Sequence, residues 1–227
     1  MENSVFLNDF VKAIQHADLK FFIWHDIGSS INKPSQFTMQ ERVFCYEFYH
    51  QFRMIMEANM YKYGNLIFNG EIKKSEIDKL LEHTEESNKE SDKESNKEPN
   101  KDSENKSKEY KYPDFVLHGG QDDDTHQECV IEVKTAERIK KNVAIGIGGD
   151  IDKLLKFVDE NKLNYNTALF IAVNMDNKEL KEQIEKIADK LTGRNANKIY
   201  FMATKSVRND DCKLKYFTIN ELNIIDD

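Results

Sequence analysis

Cysteine is scarce in this chain of 227 residues: there are three, without regular spacing. An odd, unpatterned set fits neither a disulfide framework nor a thiolate zinc site, and it points to a reducing compartment. Long hydrophobic runs are missing as well. Stretches such as "ALFIAV" fall far short of the roughly 20 residues needed to span a bilayer, so no membrane partner is expected. The opening "MENSVFLNDFVKAIQHADLK" interrupts its apolar residues with acids and bases and lacks the core of a secretory signal. The expected location is the cytoplasm. A basic excess is the third absence. The net charge is −8, and residues 85–109, with nine acids against six lysines, carry −3 of it, leaving −5 elsewhere. Such a balance excludes coating of nucleic acid by general phosphate neutralisation and confines any basic track to a local patch. It is compatible with carboxylates that hold a divalent metal.

The stretch "EESNKESDKESNKEPNKDSENKSKE" repeats an approximate S-N-K-E unit without aliphatic or aromatic residues. It cannot bury enough surface to offset its ordering entropy, so residues 83–110 read as a flexible low-complexity insertion into a single domain spanning 1–227. Its two ends can lie close together, because loop closure costs little more as loops lengthen. Residues 1–35 read as an N-terminal helical extension.

On either side of the insertion the chain is periodic. "VFLNDFVKAIQHADLKFFIW" and "FTMQERVFCYEFYHQFRMIMEANMY" predict helices, the second with Phe44, Cys45, Phe48, Phe52 and Ile55 on one stripe. Glu41 falls in line with that stripe one turn before it, and Glu47 on its edge. "NLIFNGEI", "YPDFVLH", "ECVIEVKT", "TALFIAVN", "KIYFMAT" and "KLKYFTI" predict strands. "GGDIDKLLKFVDEN" predicts a helix capped by Asp150, and "NKELKEQIEKIADKLTG" one ended by Gly193. The result is an α/β fold, a mixed sheet flanked by helices.

Chemistry enters with "CVIEVK". Strand alternation puts Cys129, Ile131 and Val133 on one face and Val130, Glu132 and Lys134 on the other. The bland reading is a solvent-facing ion pair contributing well under about 1 kcal/mol. In "YPDFVLH" the same alternation groups Asp114, Val116 and His118, and a hairpin would bring Asp114 to Glu132 and Lys134. Two carboxylates together on an apolar sheet repel, and one is driven toward the protonated form unless a cation neutralises them. Mg²⁺ or Mn²⁺ does so with oxygen ligands, and Lys134 would orient or activate the attacking water.

Pro113-Asp114 followed by Glu132-Val133-Lys134 on the next strand resembles the PD-(D/E)xK nuclease superfamily, the restriction-endonuclease-like fold. The resemblance covers roughly residues 36–205 less the insertion and implies an α-β-β-β-α-β core. It further implies Mg²⁺-dependent phosphodiester hydrolysis of nucleic acid, DNA ahead of RNA. Asp114, Glu132 and the Val133 carbonyl would be metal ligands, Lys134 the motif lysine and Glu41 the added helix glutamate, with Glu47 as fallback. The tripeptide alone is unspecific, since Glu71-Ile72-Lys73, Glu160-Asn161-Lys162 and Glu179-Leu180-Lys181 satisfy it too. Only the Glu132 copy follows a Pro-Asp strand.

Basic residues after the motif, Arg138, Lys140 and Lys141, are candidates for phosphate contacts, and Asp150 and Lys153 for lining the site. "QDDDTHQE" lacks the spacing of a calcium loop and reads as a solvated turn. "GIGGD" lacks the Gly-Lys-Ser/Thr of a P-loop and reads as a flexible turn leading into the capped helix. The competing reading is a non-catalytic binding module of the same fold contacting a protein or nucleic acid. Oligomeric state, a homodimer included, is left open.

Overall fold

The computed structural model describes residues 4–17, 23–25, 37–39, 41–70, 113–120, 126–141, 146–191, 195–205 and 215–221. The 83–110 insertion, Asp122 to Asp124, Gly193 and much of the 1–35 extension lie outside the described residues.

Helix α1 (Ser4–His16) buries Leu7, Phe10, Ala13 and Ile14, the stripe its period dictates. Strands β1 (Ile23–His25) and β2 (Phe37–Met39) pair antiparallel as a small separate sheet. Both segments read as helical in sequence, because three-residue strands are too short to show an alternation. Helix α2 (Glu41–Ala58) buries Phe44, Phe48, Phe52 and Met56, one residue per turn, while Cys45 and Ile55 are only half-buried. It packs on α1, with the Phe10 and Phe52 rings 4.4 Å apart. Each such ring contributes about 1.5–3 kcal/mol by leaving water.

After the short α3 (Met60–Tyr63) come β3 (Ile67–Gly70), β4 (Phe115–His118), β5 (Gln127–Thr135), α4 (Ala136–Lys141), α5 (Gly146–Phe157), β6 (Thr167–Val173), α6 (Asn177–Glu185), β7 (Ile199–Thr204) and β8 (Tyr216–Thr218). The strands form one six-stranded sheet in the order β3-β4-β5-β6-β7-β8. β5, β6 and β7 run parallel, and the other neighbours antiparallel. Every residue of β6 is buried, as expected of an apolar strand covered on both faces. One face carries Phe68, Leu117, Ile131 and Ile171 against α1 and α2, and the other carries Val130, Phe170 and Phe201 with Ile147, Ile151 and Leu154 of α5. The chain is therefore α/β, a mixed open sheet between helical layers.

Two helix boundaries differ from the sequence reading. "GIGGD" forms the first turn of α5, so Asp150 lies inside the helix and is not its cap. Glycines cost about 1 kcal/mol each relative to alanine in a helix; here Ile147, Ile151 and Leu154, all fully buried, fall on one helical face and override that cost. α6 stops at Glu185, well before Gly193. Its start is set by Asp176, which accepts a hydrogen bond from the Glu179 amide at 2.7 Å while the Glu179 carboxylate accepts from the Asp176 amide at 3.2 Å.

Asp9 is buried on α1, an acid that the helical period hides among apolar neighbours. Lys62, Lys12 and the Tyr63 hydroxyl donate to its carboxylate. Burial alone would raise this carboxyl; the three donors overturn that and hold it below the ordinary 3.8. A lowered folded value contributes stability above the unfolded value, and that contribution is lost as pH falls through the folded one. Asp9→Asn is expected to cost about 2–3 kcal/mol at pH 7. In urea unfolding the gap between variant and wild type should close as pH falls below the ordinary 3.8 and through the lowered folded value; a gap independent of pH would show that the charge is not what stabilises.

Candidate active site

Register and alternation decide which side chains meet. The β4 and β5 ladder pairs Phe115 with Ile131 and Val116 with Val130, so one step further Asp114 stands opposite Glu132. Val130 faces α5, whereas Cys129, Ile131 and Val133 face α1 and α2, which puts Glu132 and Lys134 on the α5 side as alternation demands. Glu132 is only 2% exposed, which rules out the solvent-facing pair.

Each carboxylate has its own support. Asp114 Oδ2 accepts the Val133 amide at 2.7 Å. Glu132 receives Lys134 Nζ on Oε1 at 3.2 Å and Lys153 Nζ on Oε2. Lys153 comes from α5 one turn after Asp150, and Asp150 in turn lies 3.4 Å from Lys134 and 3.8 Å from Lys153. Two acids and two lysines thus interlock beneath the sheet end, with Asp114 next to them. Glu41, at the start of α2, accepts Arg138 of α4 at 2.7 Å.

Burial, then the neighbouring Asp114, pushes the Glu132 carboxyl well above the carboxylate range, although Lys153 and Lys134 pull the other way. Burial likewise raises Asp114, against the Val133 amide and Lys134. For Lys134 burial works against the charge, but Glu132, Asp150, Glu41 and Asp114 prevail and raise it above an ordinary lysine. Lys134 therefore stays an ammonium at neutral pH and can donate a hydrogen bond, not take up a proton.

A cleft of about 820 Å³ opens beside this cluster, bordered by Asp114 and Glu41 and by Arg138. The sequence candidates separate here. Asp114, Glu132, Lys134 and Glu41 influence one another electrostatically. Glu47 instead accepts from Gln51 on α2. Lys140 is drawn away to Glu179 at 2.9 Å, and Lys141 is exposed. Arg138, Lys140 and Lys141 lie on α4, which forms because Ala136 and Ile139 are buried at i, i+3. Sequence reasoning missed Arg42, Tyr46 and Tyr49, which also line the cleft and whose signal was their helical spacing on α2.

The donor set is all oxygen, which suits a hard cation and not a thiolate-seeking metal. Glu41 Oε2 and Asp150 Oδ2 are buried and accept no hydrogen bond among the described residues, although the Lys134 ammonium lies 3.4 Å from Asp150 Oδ2. Among the described residues no three His, Cys, Asp or Glu side chains stand grouped to hold a metal ion, and at Glu132 two ammoniums supply the positive charge instead. The oxygens thus fit Mg²⁺ or Mn²⁺ in chemistry, with the lysines as competitors.

No family model matches the chain, and neither a curated protein nor a solved structure matches it. Among the described residues no helix is long and apolar enough to cross a membrane.

Proposed function

We propose that this protein is a Mg²⁺- or Mn²⁺-dependent nuclease of the PD-(D/E)xK kind, hydrolysing phosphodiester bonds of nucleic acid, DNA ahead of RNA. The observation that carries the reading is the opposition of Asp114 and buried Glu132, with Lys134 beside them, next to an open cleft. The order α2-β3-β4-β5-α5-β6 supports a restriction-endonuclease-like core. Asp114, Glu132 and the Val133 carbonyl would hold the ion. When bound it would supply an acidified water and positive charge at a phosphate oxygen.

The chain's own residues do the rest. The Val133 amide fixes Asp114, so that carboxylate is oriented before any ligand arrives. Lys134, permanently charged, donates to the attacking water or to a phosphate oxygen. Arg138, itself 62% exposed, is held at the cleft mouth by Glu41 and can exchange that partner for a backbone phosphate at little cost. Incubated with labelled single- and double-stranded DNA and RNA, the purified chain is expected to release shorter products in Mg²⁺ or Mn²⁺ and to stop on addition of EDTA. No cleavage of any of these substrates with either metal removes the reading.

The two ammoniums on Glu132 favour a second reading, a non-catalytic binding module of the same fold contacting a protein or nucleic acid. Calorimetry separates the two. Mg²⁺ binding that Asp114→Asn abolishes supports the enzyme, whereas neither binding nor cleavage supports the module.

A further inference from the structure

Phosphodiester hydrolysis makes no demand on the α2 residues that line the cleft, yet two of them are aromatic and one is a guanidinium. Arg42, Tyr46 and Tyr49 sit at i, i+4 and i+7 along α2, on one helix face, and all three border the cleft that Asp114 and Arg138 also border. Tyr49 is half-buried, and its ring is fixed from within. It lies 5.4 Å from the Phe68 ring at an interplanar angle of 17° and 6.3 Å from the Phe115 ring at 18°. Tyr46, the next ring along the row, is 62% exposed although it is a large aromatic beside a cleft. The end of β3 lines the cleft too. A side chain at Gly70 would strike the Phe115 ring at 2.9 Å, so the close approach of that ring depends on glycine.

One fixed ring, Tyr49, and one exposed ring, Tyr46, in line with a guanidinium can take an unstacked base and its phosphate. Stacking is available to every base, but only when the base is out of a duplex. The lining holds Arg42 and Arg138 together with Glu41, Asp114 and Glu137, so a phosphate is favoured there only in direct contact with a guanidinium, and Arg138 exchanges Glu41 for it. The cleft volume of about 820 Å³ lies within the range of about 300–1,000 Å³ that small-ligand sites occupy.

We propose that this cleft is a subsite for single-stranded nucleic acid, in which one unpaired base stacks on the Tyr46 and Tyr49 row and the adjoining phosphates contact Arg42 and Arg138. The placement rests on the nuclease reading, because it delivers the next phosphate to Asp114 and so selects single strands, frayed ends or flaps over closed duplex.

The test is binding without turnover. Wild-type chain in EDTA is titrated into a fluorescein-labelled oligodeoxythymidylate, and separately into a blunt duplex of equal length, and anisotropy is read. The single strand is expected to bind more tightly. Tyr46→Ala should weaken that binding roughly 5- to 100-fold, and Tyr46→Phe, which keeps the ring, should restore it. Tyr46 is exposed, so an unchanged melting temperature establishes that the variant is folded. Arg42→Ala should lower the salt dependence of binding by about one phosphate contact. Equal affinity for the two probes, no binding of either, or wild-type affinity in Tyr46→Ala overturns the subsite, even if the chain cleaves DNA in Mg²⁺. Ring-dependent binding with no cleavage in Mg²⁺ or Mn²⁺ upholds the subsite and removes the nuclease reading.

Discussion

Asp114→Asn is expected to leave the fold intact and to lower phosphodiester hydrolysis by on the order of 10³-fold, the scale on which removing one preorganised electrostatic contact acts. The substitution is mild by construction. Asp114 Oδ2 is tied to the Val133 amide, and the amide oxygen of asparagine can accept the same hydrogen bond. What disappears is a negative charge next to Glu132, and with it the affinity for a dication that the proposed nuclease requires. Lys134 also loses one of the four acids that hold it charged, although Glu132, Asp150 and Glu41 remain. The measurement is single-turnover cleavage at saturating Mg²⁺, with circular dichroism and a melting curve on the same sample. Activity within tenfold of wild type, in a folded protein, would sink the metal role of this carboxylate.

The second large effect is on stability. Lys153→Met removes the cation from Glu132 Oε2, and Glu132 is 2% exposed, so water cannot take its place. Above the raised Glu132 value, where the carboxylate is ionised, stripping one partner from this buried ion pair costs about 3–5 kcal/mol, because the remaining charge is left desolvated. Toward neutral pH the carboxyl takes up a proton and the cost falls, so the variants are compared at alkaline pH. Lys134, at 3.2 Å from Oε1, moderates the loss without cancelling it, since it also serves Asp150. Adding Glu132→Gln to Lys153→Met removes the stranded charge and should recover more than about 1 kcal/mol relative to the single variant. Urea unfolding of both single variants and the double variant completes the cycle. A cost under about 1 kcal/mol for Lys153→Met alone would mean that the pair behaves as a surface contact.

Much of this site was legible in the sequence because alternation along a strand is local geometry. "CVIEVK" assigned Glu132 and Lys134 to one face and Ile131 and Val133 to the other, and the two core clusters divide along that line. Asp114 follows from the same rule applied to "YPDFVLH" once the hairpin register is known. The six sheet strands were readable too, β6 from its unbroken apolar run and not from alternation. Short strands were not: Ile23–His25 and Phe37–Met39 carry too few residues for a period and sit beside strongly helical runs. The first turn of α5 was hidden by its glycines, whose propensity argues for a loop. Asp9, buried with three donors, broke no visible pattern, because a single acid in an amphipathic helix reads as an edge residue.

By itself the sequence determined which side chains share a face, which helices have a buried stripe and that acids and a lysine cluster on neighbouring strands. Those properties depend on the rise and twist of a few residues. Only the tertiary structure decided how deeply Glu132 is buried, that Lys153 reaches across from α5 to serve it, and that Arg42, Tyr46 and Tyr49 border the same cleft as Asp114. Depth and pairing between elements far apart in the chain are set by how helical layers pack on the sheet, and that packing is the sum of many weak apolar contacts that no short stretch of residues encodes.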